Sequence, residues 1–265
     1  MGYPAFNLSV ADGTMRDSLA LMRFTLDQRG SLRFIIINVD DLTFLDYNKA
    51  QNVQVNRSAF NDVGLYRSLD GDRWYAPLLN LWDQFVRLFT LQQVDASLRL
   101  LQVESEGRNQ PVFVFDPDGQ AQFYRSMSLD ESTTQLLTHY RQVGYAGWFQ
   151  PAHLDDNAFG YLQQLLQQCQ RQGISVLGYL PPGHPRYQQY LETEGTGYLS
   201  YHNRVVSRLH DLEQIYPFHF MDFTYQSEKL YGDDLEPYFS DAIHPNEAGS
   251  VIIMQALYDA FPEGN

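Results

Sequence analysis

Apolar residues along this chain alternate between the spacing of strands and the spacing of helices. Leu32–Ile37 is an apolar run rich in β-branched residues, which is typical of a parallel strand covered on both faces. Gly173–Leu180 and Phe218–Asp222 are similar runs, and we predict that they are the next strands. Apolar residues at helical spacing predict helices over about residues 19–29, 76–103, 131–142, 155–172 and 196–214, and after His244.

Strands that alternate with helices in this way indicate a parallel sheet with helices on both faces. One exception is the pair of short apolar segments 111–115 and 121–125, which flank Asp116-Pro-Asp-Gly119. Because that tetrapeptide is a strong turn former, we predict a β-hairpin there. The sequence therefore predicts one α/β domain over residues 1–265, with an insertion of roughly 40–130 that contains the hairpin.

Composition and charge narrow the classes of function. The chain has 265 residues and a net charge of −14, which argues against nucleic acid as a partner because phosphates are neutralised by Lys and Arg. No apolar run is long enough to cross a bilayer. The single cysteine, Cys169, excludes an internal disulfide framework and lies on the apolar stripe of a predicted helix. The histidines show no spacing typical of metal ligands, so we predict neither a metal nor a cofactor.

Four polar segments fall where the carboxyl ends of the predicted strands should be. They are Ala11–Thr14, Asn38–Asp41, Pro181–His184 and the segment that contains Asp241 and His244. Ligands of open α/β sheets bind outside the carboxyl ends of the strands. We therefore expect a functional site at this edge, to which His184 contributes loop shape rather than chemistry.

The segment Asp241-Ala-Ile-His244-Pro245-Asn246-Glu247-Ala248-Gly249 carries the most specific chemistry. A carboxylate three residues before a histidine can accept the proton on Nδ1, which leaves Nε2 to act as a base toward a hydroxyl. Pro245 suits the first turn of the helix that follows, because its missing N–H costs nothing there. The alternative is a surface helix start in which Asp241 and His244 cap the helix and are solvated. The position before the last helix of an α/β series favours the functional interpretation.

The same segment resembles the last block of the SGNH (GDSL-like) hydrolases, in which an acid and a base occupy the pattern D-x-x-H-P. Asn7–Asp17 resembles their second block and Ile35–Leu42 resembles their third. The resemblance spans nearly the whole chain and is closer to the cell-envelope branch related to alginate O-acetyltransferases and to the D-alanyl lipoteichoic acid pathway. It implies a three-layer flavodoxin-like fold with a mostly parallel sheet. It also implies an oxyanion hole made by backbone N–H groups near Asp12 and Gly13 together with Asn38.

The chain departs from the family at the nucleophile. The family serine stands in Gly-Asp-Ser or Gly-Ser-Ser upstream of the second block, and neither tripeptide occurs here. We expect either that this block lies upstream of Met1 or that the protein is a relative that has lost it. Ser9 is the candidate nucleophile within the chain, and the alternative is that it caps or packs at a strand end. In the third block, Asp40 or Asp41 stands where the family has asparagine, and a carboxylate there would repel an oxyanion.

The resemblance implies a full-length esterase or O-acyltransferase that uses Ser-His-Asp chemistry, without a cofactor, on an acyl ester of a small molecule or a cell-surface carbohydrate. The alternative is a non-catalytic binding or scaffold protein that keeps the fold. In either case we expect the exposed edge of the sheet to be covered by the insertion, by a second copy or by a partner chain. The composition is that of a soluble protein, which would be extracytoplasmic if an anchor or signal precedes it.

Overall fold

The protein is a mixed α/β structure with a small parallel sheet. The computed structural model describes residues 14–29, 32–46, 113–115, 121–123, 128–150 and 153–260. The helices are α1 (Met15–Arg29), α2 (Leu129–Gln142), α3 (Asp156–Gln172), α4 (Pro185–Glu194), α5 (Tyr198–Glu213), α6 (Ser227–Tyr231) and α7 (Glu247–Ala260). The strands are β1 (Phe34–Asn38), β2 (Phe113–Phe115), β3 (Ala121–Phe123), β4 (Ser175–Leu180) and β5 (Phe218–Asp222), and short 3-10 helices cover Asp41–Phe44 and Tyr145–Phe149.

Three parallel strands form the main sheet in the order β1-β4-β5. Phe34 pairs with Ser175 and Val176 pairs with Phe218, so both pairs of strands begin at the same edge. The α/β class and these three strands confirm the sequence prediction. Among the described residues, β1 pairs only with β4. The prediction that another segment or chain covers that edge therefore stays a prediction.

Alternate residues of the strands enter two different apolar clusters. Ile37 and Phe220 belong to a large cluster together with residues of α1, α3 and α5. Ile36 and Met221 pack against a second cluster that includes residues of α7. Because successive side chains of a strand point to opposite faces, packed side chains cover both faces of the sheet.

The β-hairpin predicted around Asp116–Gly119 is confirmed for its two strands. β2 and β3 are antiparallel, with Phe113 opposite Phe123. The predicted helix over residues 76–103 lies outside the described residues. The start of the predicted insertion belongs to the packed core, since Phe44 is fully buried and stacks on Phe159 at 4.1 Å between ring centroids.

The helix α4 was not predicted, because Pro181-Pro-Gly183 indicated only the end of a strand. His184 is the N-cap of this helix, and its Nδ1 accepts a hydrogen bond from the backbone N–H of Arg186 at 3.2 Å. Cys169 is fully buried on α3, as predicted for a core residue. Burial raises the pKa of its thiol to about 11, so it stays protonated at neutral pH.

Candidate functional site

Asp241 and His244 lie in a narrow loop between two short backbone pairings. Phe239 and Pro245 form an antiparallel bridge, and the N–H of Ser240 donates to the carbonyl of His244 at 2.8 Å. These contacts hold the two ends of the loop together. The carboxylate and the imidazole are therefore presented from a closed turn.

The carboxylate of Asp241 is fixed by three donors. Its Oδ1 accepts the backbone N–H groups of Ile243 at 2.9 Å and His244 at 3.0 Å. Its Oδ2 lies 2.8 Å from Nδ1 of the His244 ring. Because an ionised carboxylate only accepts, Nδ1 is the donor and carries the proton, which leaves the lone pair of the neutral ring on Nε2. This is the tautomer that a general base needs.

The helix that follows the loop begins later than the sequence predicted. The helix α7 starts at Glu247, and Pro245 lies two residues before it in the bridge with Phe239. Asn246 provides the cap instead, because its Oδ1 accepts the N–H of Gly249 at 3.1 Å. The role predicted for Pro245 in the first helical turn is wrong. The first backbone N–H groups of a helix have no partner within the helix, and the side chain of Asn246 can accept from one of them, whereas a proline side chain cannot.

The loop is attached to the carboxyl edge of the sheet. The N–H of His184, which follows β4, donates to the carbonyl of Ala242 at 2.8 Å. Asp40 follows β1 and is close enough for its charge to act on His244. Three of the four segments that the sequence singled out are thus joined at one edge. The fourth lies outside the described residues apart from Thr14.

Hydrogen bonding and charge tune both members of the pair. The hydrogen bond to Asp241 raises the pKa of His244 above its ordinary value of 6.5; burial opposes this rise, and the charges of Asp241 and Asp40 reinforce it. Burial alone would raise the pKa of Asp241. The hydrogen bond and charge of His244 and the two backbone N–H groups outweigh burial and lower that pKa below its ordinary value of 3.8. The structure therefore favours an ionised carboxylate beside an imidazole that protonates readily.

The predicted oxyanion residues are placed only in part. Asn38 is the exposed last residue of β1, opposite Tyr179, and its side chain makes no hydrogen bond to Asp241 or His244 in the described structure. Asp40 caps the 3-10 helix, because its Oδ1 accepts Thr43 N at 2.7 Å and Thr43 Oγ1 at 2.9 Å. Ser9, Asp12 and Gly13 lie outside the described residues.

Tyr140, which no sequence motif marks, lies near the pair. Burial raises the pKa of Tyr140 to about 12, and the charges of Asp241 and Asp40 add to this effect. Its ring stacks on Tyr145 with centroids 4.2 Å apart, and the hydroxyl of Tyr145 lies 3.1 Å from that of Tyr187. No local spacing could have predicted this group, because its members come from different elements.

A second His–Asp pair was also missed. His202 Nε2 lies 3.1 Å from Asp222 Oδ2, and the His202 side chain is 3% exposed. By contrast, the His244 side chain is 55% exposed. The spacing of the histidines in the sequence gave no sign of this pair, because Asp222 lies 20 residues from His202 at the end of β5. In the described part of the chain, no three His, Cys, Asp or Glu side chains are grouped to hold a metal ion.

No helix among the described residues combines the length and the apolar character that crossing a membrane requires. No protein-family model matches the chain, and no curated protein matches it at a significant level.

Proposed function

We propose that this protein belongs to the SGNH-like hydrolases and that its full-length form hydrolyses or transfers an acyl ester. His244 is the general base in this proposal, and Asp241 orients its ring. The observation that carries the proposal is the 2.8 Å contact between His244 Nδ1 and Asp241 Oδ2, on a loop attached to the carboxyl edge of a parallel sheet. Packed clusters on both faces of that sheet support the three-layer, flavodoxin-like architecture.

In the proposed mechanism, His244 Nε2 removes the proton of a serine hydroxyl as the oxygen attacks the acyl carbonyl carbon. The imidazolium that forms is stabilised by the Asp241 carboxylate. It then returns the proton to the leaving alcohol, and a second cycle transfers the acyl group to water or to an acceptor hydroxyl. Backbone N–H groups near Asp12 and Gly13, together with Asn38, would hold the oxyanion. No cofactor takes part.

One observation favours a second candidate function. Asp40 or Asp41 stands where the resemblance expects an asparagine, and the negative charge of Asp40 acts on His244. A carboxylate at that position would oppose an oxyanion. This favours a non-catalytic binding or scaffold protein that keeps the fold and the His–Asp pair.

The deciding experiment compares the chain with a form extended upstream of Met1 along its natural reading frame. We expect little or no hydrolysis of p-nitrophenyl acetate by the chain itself. We expect hydrolysis by the extended form, lost in His244→Ala and in the upstream Ser→Ala variant. The matched control is His210→Gln, which alters another His–carboxylate pair of the same spacing, His210 with Glu213.

Two outcomes would reject the proposal that His244 is the general base, and the first of them favours the scaffold. One is an in-frame stop directly upstream with no turnover by the chain. The other is hydrolysis that survives His244→Ala. Robust hydrolysis by the chain itself, lost in both His244→Ala and Ser9→Ala, would instead identify Ser9 as the nucleophile. Because only the neutral His244 ring is a base, the rate of ester hydrolysis by the extended form should rise with pH through a midpoint above 6.5.

A further inference from the structure

The buried pair formed by His202 and Asp222 lies at the carboxyl end of β5. It joins α5 to the last residue of the strand through the 3.1 Å contact between Nε2 and Oδ2. His202 is almost wholly buried, whereas Asp222 is 25% exposed. A buried polar ring is costly unless its partner stays in place, so this contact fixes the Asp222 side chain.

Asp222 in turn organises the residues that follow the strand. Its Oδ1 accepts the backbone N–H of Thr224 at 2.9 Å, and its carbonyl accepts the side-chain amide of Gln226. Burial alone would raise the pKa of Asp222, but the hydrogen bonds from His202 and Thr224 outweigh it and lower that pKa. The carboxylate is therefore ionised and held from two sides.

A continuous set of hydrogen bonds leads from this turn to the loop that carries His244. The carbonyl of Thr224 accepts the side-chain amide of Gln188 and the N–H of Gly183 at 3.5 Å. The same Gln188 amide donates to the carbonyl of Gly183 at 3.0 Å. The next residue, His184, donates its N–H to the carbonyl of Ala242 at 2.8 Å. Ala242 directly follows Asp241.

We propose that His202 and Asp222 are positioning residues, which hold the His244–Asp241 loop in place through Thr224, Gln188 and the Gly183–His184 segment. The role as a positioning pair rests on the proposed function, in which His244 is the base. The coupling between the His202–Asp222 pair and the His244 loop does not rest on that function, because it is a property of the folded chain without substrate. Coupling through a chain of contacts needs direct measurement.

The quantity to measure is the pH midpoint at which His244 titrates, and NMR of the protein with labelled histidine detects it. The His244 signal is assigned by its loss in His244→Asn. In the wild type, we expect a midpoint above 6.5 because of the bond to Asp241, with Asp40 adding to it. Both carboxylates stay in the variants below, so any change reports the geometry of the loop.

Two variants cut the connection at different points. His202→Phe keeps an aromatic ring and removes the donor to Asp222. Gln188→Leu removes the amide that bridges Thr224 and Gly183 and leaves only the long 3.5 Å bond from the N–H of Gly183 to Thr224. In each, we expect the His244 midpoint to fall toward 6.5, the value of a histidine without a carboxylate partner. The double variant should show the same fall as a single one, because both changes cut one path.

Two controls separate this effect from a general loss of structure. His202→Gln keeps a donor that reaches toward Asp222 and should restore part of the shift. His210→Phe, on the same helix, should leave the midpoint of His244 unchanged. An unchanged midpoint in Gln188→Leu, or in His202→Phe if that variant folds, overturns the proposal, as does a purely additive fall in the double variant. A lack of ester hydrolysis by the form extended upstream of Met1 would reject the proposed function but leave this result intact.

Discussion

Gly249 lies where the last helix packs against the two ends of the loop that carries His244. It is buried in the first turn of α7. A Cβ placed there would overlap the carbonyl oxygen of Tyr238, and it would lie 3.2 Å from the carbon of that carbonyl and 3.1 Å from Pro245 Cβ. Tyr238 and Pro245 flank the loop on either side, so we predict that Gly249→Ala destabilises the protein by pushing the helix off them.

The magnitude follows from two opposing terms. Alanine is favoured over glycine inside a helix by about 1 kcal/mol. Overpacking of a tight interior costs about 1–3 kcal/mol, and the upper part of that range applies because a backbone carbonyl and a proline ring cannot rotate away. We therefore expect the free energy of unfolding of Gly249→Ala to fall by about 1–2 kcal/mol relative to the wild type.

The assay is urea unfolding, with Gly160→Ala as the matched control. Gly160 lies within α3, and among the described residues a Cβ there has no neighbour within 4 Å beyond the adjacent residues and the backbone of its own helix. The same substitution should raise the free energy of unfolding at this site by up to about 1 kcal/mol. A Gly249→Ala variant as stable as the wild type, or one that gains as much as Gly160→Ala, would refute the close approach of α7 to Tyr238.

Two further predictions concern buried polar groups. Thr133 is fully buried on α2, and its hydroxyl has no hydrogen-bond partner among the described residues. Thr133→Val should therefore raise the free energy of unfolding by about 1 kcal/mol in urea, and a loss of stability would contradict this. The second prediction concerns Asp222, whose pKa is held below 3.8 because the hydrogen bonds from His202 and Thr224 outweigh burial. The ionised carboxylate therefore stabilises the fold fully above about pH 4, and this contribution is lost as the pH falls through the pKa of the folded protein. In Asp222→Asn, stability should consequently fall less steeply below about pH 4, and an unchanged slope would show that Asp222 does not contribute.

Local periodicity was sufficient to predict most elements of the described chain. The run of β-branched residues before Asn38 predicted β1, and the segment Phe218–Asp222 was predicted with the bounds that the structure has. Both follow from short-range physics, because a strand or helix has a repeat that apolar side chains match. The contact between Asp241 and His244 was predictable for the same reason, because the two residues are three positions apart and one turn of the chain brings their side chains together.

Caps and boundaries were less predictable. The structure uses His184 as an N-cap, although Ser, Thr, Asp and Asn are the usual residues there. It also places the cap of α7 at Asn246 rather than using Pro245 inside the helix. In both cases, the outcome depends on where the preceding loop is held, which is set by contacts to other elements.

The sequence by itself determined the class and order of most described elements and the chemistry of the Asp241–His244 segment. The tertiary structure alone decided that β1 lies beside β4, that Asp40 acts on His244, and that His202 meets Asp222. The reason is physical. Contacts within a turn depend on bond geometry shared by every chain, whereas contacts between distant residues depend on how helices and strands pack into one core.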